Sequence, residues 1–400
     1  MSKMRILAVT YCRAMFGANR ALLGMIKDLR DRYGIETDVL MPSVNDGSLA
    51  EVLDDEGFVH YEMSMKMWVC PVDSKYKTLR SISAQVKTFF LSESIKKLLD
   101  SNNYDLVYTN NSTVQYGAIL AKKWKIPHVW HVREFGRYHY DYDYDYSYPV
   151  NKRIKYFKSA HTVITISDAM QKYAEEELCP RANLCRIYDG VNLSKKPKYS
   201  DEEFGSELSA VTEGGDHKCV NISCVAALQP GKNQMELLEA VKILVDRNVG
   251  DFRVFLIGTG PDEDRLRKYV KDNGLEYVVE FCGYRDDVRQ LLDTMDIGVI
   301  CSRAEGFGLV TCEYMESSMP VIGADSGATP ELIEDGYNGY LYPLGNADVL
   351  ADKLQELIND KSKRIHMGMN AYERVYKKFS LQRNTDEMYK IFINAVTERR

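Results

Sequence analysis

Along most of the chain, short runs of apolar and β-branched residues alternate with longer stretches whose apolar positions recur every three or four residues. The first pattern reads as buried strand and the second as amphipathic helix. "MRILAVTYC" is a strand that runs into Gly17, and "ANRALLGMIKDLRDRYG" is a helix that stops at Gly34. "ETDVLMP", "DLVYTN", "PHVWHV" and "TVITIS" are further strands, with "VQYGAILAKKWK" and "SDAMQKYAEEEL" helical between and after them. Alternating strand and helix predicts an α/β fold with a parallel sheet covered on both faces.

The rhythm breaks near residue 192, where "NLSKKPKYSDEEFGSELSAVTEGGDHK" is polar and rich in Gly, Lys and acid. That composition marks an interdomain linker. The alternation then restarts. "CVNISCVAAL", "FRVFLIG", "VVEFCG", "DIGVICS", "PVIGA" and "GYLYP" read as strands, and "NQMELLEAVKILVDRN" and "DEDRLRKYVKDNG" as helices. A last helix is expected from about Ser380 to Val396. Two parallel-sheet domains are predicted, with a cleft where the carboxyl ends of their strands converge.

Length agrees with this division, since 400 residues exceed what one ordinary core holds. A hydrophobic content of 45% and a charged content of 28% describe a soluble globular chain. No apolar run approaches the ~20 residues that span a bilayer, and no signal peptide is read at the N-terminus. The nine cysteines are scattered without a C-x-x-C pair, which fits a reducing cytoplasm better than a disulfide framework or a zinc site. Residues 1–200 carry 29 Lys/Arg against 23 Asp/Glu, and residues 201–400 carry 23 against 35. The overall acidity and the lack of a basic-aromatic motif give a nucleic-acid module little support. The basic stretches "NKRIKYFKSA" and "SIKKLL" of the first half fit either ordinary solvated helix faces or peripheral contact with the inner face of an anionic membrane.

Candidate chemistry gathers in two places. In "CSRAEGFGLVTCEYMESSMPVIG" a strand ends at Ser302, Glu305 follows in a loop, Gly306 and Gly308 allow close backbone approach, and a helix begins near Leu309. The first amides of a helix bind anions. Glu305 and Glu313 flank that anion site, and carboxylates accept pairs of sugar hydroxyls. The arrangement suits a hydroxylated ring on each side of a diphosphate, as in a nucleotide sugar. The second place is "YHYDYDYDYSYP", where Asp141, Asp143 and Asp145 would share one face of a strand. Such a face could hold a hard cation. A nicotinamide site is not indicated, because "LIGTGPDEDRL" has Glu263 where the third glycine of the fingerprint belongs.

"EGFGLVTCE" resembles the E-x7-E motif of glycosyltransferase family 4, the retaining enzymes of the GT-B fold. "FGANRALL", "PHVWHVREFG", "ITISDAM", "IYDGVN", "LQPGKNQMELLEA", "FCGYRDDV" and "GADSGATPELI" resemble other segments of that family in the same order along nearly the whole chain. The resemblance implies two Rossmann-like domains facing across a cleft. Residues 1–191 would bind the acceptor, 192–217 would form the linker, and 218–379 would bind the nucleotide sugar. Residues 380–400 would pack back on the first domain.

The resemblance also implies roles. Lys232 would bind the donor diphosphate, Glu313 the ribose, and Glu305 the sugar at its anomeric centre. Phe307, Gly308, Leu309 and Val310 would offer backbone amides. Tyr284 and Arg285 would frame the base, and Gly17 would lie close under the phosphates. His131 would contact the sugar near the acceptor; it reads either so or as a hydrogen-bonded core histidine, with His128 as the structural one. A neutral His131 would accept from a sugar hydroxyl. Many members carry an arginine five residues before the lysine, where this chain has Ala227. Arg20 or Arg303 is then the candidate second phosphate cation.

The expected activity is transfer of a hexose-type sugar from UDP or GDP to a glycan or lipid-linked acceptor in cell-surface polysaccharide assembly. No metal and no cofactor are expected. The Tyr/Asp stretch is accordingly expected to be a loop facing the acceptor rather than a catalytic metal site. A sugar-nucleotide epimerase on the same fold, or a partner subunit that has lost turnover, is the alternative.

Overall fold

The computed structural model describes residues 3–43, 47–65, 67–68, 70–71, 104–136, 142–143, 150–180, 182–199 and 219–398. The chain divides into two compact units. One comprises Met1–Asn192 with Leu381–Arg400, and the other Leu193–Ser380.

The first unit is built on a seven-stranded sheet in the order β3-β2-β1-β5-β6-β8-β9. Its strands are β1 (Arg5–Val9), β2 (Glu36–Pro42), β3 (His60–Met63), β5 (Leu106–Thr109), β6 (His128–Val132), β8 (Thr162–Thr165) and β9 (Leu184–Arg186). Every pairing within it is parallel. Two further short strands, β4 (Cys70–Pro71) and β7 (Tyr142–Asp143), pair antiparallel. Both faces of the sheet are buried, as continuous apolar strands require. In β1, Ile6 and Ala8 join the core formed with Leu22, Met25 and Leu29, while Leu7 and Val9 join that of Tyr116, Leu120 and Trp124. The helix Gly17–Tyr33 ends where Gly34 turns left-handed (φ 66°) and its N–H donates to Arg30 O and Leu29 O. The helix Leu381–Thr397 buries Met388, Phe392 and Ala395 in the first core.

The second unit has six parallel strands in the order β12-β11-β10-β13-β14-β15. These are β10 (Val220–Val225), β11 (Phe252–Ile257), β12 (Val279–Gly283), β13 (Ile297–Ile300), β14 (Val321–Ala324) and β15 (Gly339–Tyr342). The helices Gln234–Asp246 and Ala347–Asn359 cover one face through Leu237, Leu238, Val241, Leu350 and Leu354.

This unit begins at Leu193, upstream of the expected boundary at 218. The reason is local. Glu316 is buried and accepts from the backbone N–H groups of Ser194 (2.7 Å) and Lys195 (3.1 Å), while Lys195 Nζ pairs with Asp293 (2.5 Å). Residues 200–217, the rest of the expected linker, lie outside the described residues, as do residue 218 and "SIKKLL". Among the described residues no helix is long and apolar enough to cross a membrane.

Candidate active site

Both sheets reverse their winding direction once. In the second, the chain runs β10, β11, β12 outward and then returns to place β13 on the other side of β10. Loops leaving β10 and β13 at their carboxyl ends therefore diverge around a crevice, where open α/β sheets bind ligands. The loop after β10 carries Lys232 in the 3-10 turn Pro230–Lys232. The loop after β13 carries Glu305. Their side chains meet, with Lys232 Nζ 2.6 Å from Glu305 Oε1 and both mostly shielded from solvent.

Glycines allow these loops to pack closely. A Cβ on Gly258 would lie 2.1 Å from Ala226 O, and one on Gly260 2.2 Å from Leu228 O. The two glycines of "LIGTGPDEDRL" thus give clearance to the lysine loop. Arg303 N–H donates to Gly231 O (3.0 Å), which ties the two loops together. The loop after β14 clamps the backbone of Glu305. Ala328 N–H donates to Glu305 O (2.9 Å), and a Cβ on Gly327 (φ 57°) would stand 2.6 Å from Glu305 N.

The helix Leu309–Glu316 starts at Gly308, whose φ of 107° suits glycine and which has no side chain to cap the first amides. Its first backbone N–H groups have no side-chain cap, a geometry suited to an anion. Phe307 and Glu313 are buried, at 3% and 4% exposure. Tyr314 anchors the helix beneath β10. Its hydroxyl accepts from Val225 N–H (2.7 Å) and donates to Ser223 O (3.2 Å), and its ring lies where Gly298 has no Cβ.

Lys232, Glu305, Gly308, Leu309, Val310 and Glu313 thus belong to neighbouring loops and one helix of a single crevice. Arg303 is exposed there, and among the described residues its guanidinium has no partner. Tyr284 and Arg285 stand apart, after β12 at the sheet edge. Tyr284 is 74% exposed, and Arg285 turns to Asp287 (2.7 and 2.6 Å).

The first sheet reverses between β1 and β5. Gly17 opens the helix after β1, and Arg20 is exposed in its first turn. Asn19 shapes this loop: it accepts from Thr10 Oγ1 (2.7 Å) and donates to Cys12 O (3.0 Å) and Ala14 O (2.8 Å). Asn110, after β5, donates to Ala18 O (2.9 Å).

His131 lies on the adjacent β6, fully buried. Its Nδ1 is 2.7 Å from Tyr108 OH and 3.3 Å from Arg133 Nη2. A guanidinium only donates, so Nδ1 is the unprotonated nitrogen. Burial and the Arg133 charge hold the His131 pKa well below its ordinary value, so the ring is neutral. Nε2 then carries the proton, and it has no partner among the described residues. The expected direction of hydrogen bonding reverses: His131 offers a donor, not an acceptor, because the donor-only Arg133 guanidinium faces the accepting nitrogen, while the Tyr108 hydroxyl also has Asn110 Oδ1 to donate to (3.0 Å). His128 bonds Thr109 Oγ1 through Nε2 (2.8 Å), and burial pushes its pKa down to about 3.

Three groups in this unit have no signal in the sequence. Arg133 is buried with its Nη1 on both oxygens of Asp189 (2.6 and 2.5 Å) and its Nε on Asn110 Oδ1 (2.9 Å). Glu134, also buried, accepts from Ser112 N–H (3.2 Å) and Oγ (2.8 Å), while its Oε1 has no partner among the described residues. Burial raises its pKa. The quoted segments "PHVWHVREFG" and "IYDGVN" contain Arg133 and Asp189, but 56 residues separate them and no local pattern pairs them. Asp141 and Asp145 lie outside the described residues. Asp143 sits in the two-residue strand β7, opposite Cys70; the rest of the Tyr/Asp run lies outside the described residues.

Two parallel-sheet units, each with polar groups gathered where its winding reverses, define the GT-B class of glycosyltransferase. Family comparison agrees. Residues 16–195 match Glycosyltransferase Family 4 and residues 216–374 match Glycosyl transferases group 1. The chain belongs to this family of glycosyltransferases. It is 29% identical over 324 residues to an uncharacterized glycosyltransferase of Methanocaldococcus jannaschii, covering 79% of this chain and 82% of that one. It is 24% identical over 404 residues to the Escherichia coli UDP-Gal:alpha-D-GlcNAc-diphosphoundecaprenol alpha-1,3-galactosyltransferase, covering 100% and 99%. The crystal structure of Anabaena HepE with UDP and glucose shares the fold, with a TM-score of 0.74 at 23% identity over 97% of this chain and 98% of that one.

Proposed function

We propose that the protein transfers a sugar, with retention of anomeric configuration and without a metal, from a nucleoside diphosphate donor to a hydroxyl of a glycan or lipid-linked acceptor. The observation that carries this reading is the Lys232–Glu305 pair beside the uncapped start of the helix Leu309–Glu316. The amides of Phe307, Gly308, Leu309 and Val310 and the Lys232 ammonium supply positive potential for a diphosphate. Arg303, bonded through its backbone to the lysine turn and without a partner for its guanidinium among the described residues, is the second cation in place of the missing arginine. Arg20, in the first unit, is the weaker candidate.

Glu313 holds the ribose, Glu305 the transferred sugar, and Tyr284 with Arg285 the base. In the first unit Gly17 admits the phosphates and the His131 Nε2–H donates to the sugar. Without donor, Glu305 neutralises Lys232, so diphosphate binding exchanges one anion for another at the ammonium.

The names of relatives support donor and product. The E. coli galactosyltransferase uses UDP-Gal and forms an α linkage, and a Staphylococcus aureus relative, 29% identical over 170 residues, is a poly(ribitol-phosphate) alpha-N-acetylglucosaminyltransferase. Cytoplasmic activity beside a membrane, with Lys155 and Lys158 exposed toward anionic lipid, belongs to the same proposal.

The test is titration calorimetry with UDP and GDP, followed by transfer assays with the corresponding sugars in EDTA. We expect UDP or GDP to bind, Lys232→Ala to lower kcat/KM at least ~10-fold, and transfer to continue in chelator. Transfer lost in EDTA and restored by magnesium or manganese would overturn the metal-free mechanism. Donor binding without turnover points instead to a partner subunit, and free epimerised donor without acceptor to an epimerase.

A further inference from the structure

His131 is useful to a sugar only in one protonation state, and the surroundings of its ring decide which. Three titratable groups stand around it. Tyr108 lies on the neighbouring β5, Arg133 directly follows β6, the strand of His131 itself, and Asp189 stands behind Arg133. Phe392, against Tyr108, is apolar. Every nitrogen of Arg133 is directed: Nε to Asn110, Nη1 to Asp189 and Nη2 to the imidazole. Asn110 in turn holds Ala18 O in the loop after β1. A buried ion pair of this kind gives little net stability over an apolar pair of similar volume, so its presence calls for another reason.

We infer that Arg133, held by Asp189 and Asn110, is a positioning residue that fixes His131 as a neutral Nε2–H donor for an oxygen of the transferred sugar. The inference rests on the reading proposed above. Its logic is geometric. A protonated Nδ1 would set an N–H against the guanidinium N–H of Arg133. An imidazolium would do the same and add like charge. Only the Nε2–H tautomer fits. The remaining N–H of that tautomer is the buried donor without a partner among the described residues, which a ligand oxygen would satisfy. Without Arg133, Tyr108 could equally accept from a protonated Nδ1, and the tautomer would no longer be specified.

Nitrogen-15 NMR of histidine-labelled full-length protein reads this without any assay of transfer. The His131 signals are assigned as those missing in His131→Gln. In the wild type we expect an unprotonated Nδ1 and a protonated Nε2, unchanged from pH 8 to pH 5. Arg133→Met alone would strand Asp189, so the double variant Arg133→Met/Asp189→Leu removes both charges together. There we expect a mixture of tautomers, or protonation as the pH falls. Its kcat should drop ~10-fold or more while UDP affinity stays within about 2-fold, because UDP carries no transferred sugar.

A wild-type His131 protonated at Nδ1, or charged at pH 7, overturns the inference even if the protein transfers sugar. A double variant whose ring and kcat both match the wild type also overturns it. If the wild-type tautomer and its loss in the variant are as expected but no nucleotide sugar is turned over, the tautomer control stands and the proposed reaction falls.

Discussion

Glu305 and Glu313 differ in what they touch, and that difference can be measured. Glu313, buried on the helix, is assigned to a part of the donor that does not change during transfer. Its loss removes uniform binding and should raise donor KM more than it lowers kcat. Glu305 is assigned to the sugar, where positive charge develops, so Glu305→Gln should lower kcat by ~10²-fold. The ion pair sharpens the prediction for UDP alone. Glu305→Gln frees the Lys232 ammonium, so the variant should bind UDP at least as tightly as the wild type, and Glu313→Gln more weakly. Calorimetry showing the reverse would exchange the two assignments.

A second residue-scale prediction concerns pH. His128 titrates near 3 in the folded protein because it is buried, against ~6.5 when unfolded. Between those values the unfolded chain binds a proton that the folded chain does not. Stability therefore falls as pH falls through this window, by up to about 1.4 kcal/mol per unit. His131 contributes with the same sign. Urea unfolding from pH 7.5 to 5.5, followed by tryptophan fluorescence, reads the first unit, since Trp68, Trp124 and Trp130 all lie in it. Comparison with a His128 variant separates the His128 share from those of His131 and of Glu134, whose raised pKa acts with the opposite sign. His128→Asn should flatten the slope by about one proton, and an unchanged slope would assign the dependence elsewhere. At this scale the sequence shows Lys232, Glu305 and Glu313, since each sits in a short local pattern. It hides Arg133, Asp189 and Asn110, whose partnership exists only after β5, β6 and the chain beyond β9 come together.

At the scale of elements, long periodic helices and apolar strands were legible because each carries its own burial pattern. "ETDVLMP" is β2 residue for residue, and the helix expected near Leu309 starts there. β3 and β9 escaped because they are sheet edges of four and three residues, with mostly half-buried positions. The stretch "SDAMQKYAEEEL" reads as one helix but changes at Ala174 to a π-helical turn through Leu178, a switch of hydrogen-bond register that apolar periodicity does not encode. The turn Gly258–Gly260 gives an element-scale prediction. Its glycines abut backbone oxygens of the lysine loop, which cannot rotate aside as a side chain could. Gly260→Ala should cost about 1–3 kcal/mol of stability in the second unit. It should also weaken UDP binding, because the displaced loop carries Lys232. Full UDP affinity with unchanged melting would show that the loop is not held by this contact.

Across the whole molecule, the chain leaves the first unit after Asn192 and returns to it at Leu381. The returning helix is a structural member of the first core. Met388, Phe392 and Ala395 are each exposed by 1% or less, and burying a large apolar side chain contributes ~1.5–3 kcal/mol. Around them Tyr389 stacks on Tyr33 (3.9 Å), Asp386 pairs with Arg32 (2.6 Å) and Asn384 Nδ2 donates to Tyr188 O (2.7 Å). Gly24 and Gly190 leave room for Leu381; a Cβ on Gly190 would lie 2.5 Å from its Cα. Deleting residues 381–400 therefore removes a piece of the first unit, although in sequence it follows the second. The second unit keeps all six of its strands and the Lys232–Glu305 crevice. The truncated chain should lose tryptophan-monitored stability by several kcal/mol, on the order of the two large side chains it exposes. It should retain the UDP-dependent protection of the lysine loop from hydrogen exchange. If tryptophan unfolding is unaffected, the helix is not part of that core. If UDP protection disappears while the second unit remains folded, nucleotide binding depends on more than the groups that unit supplies.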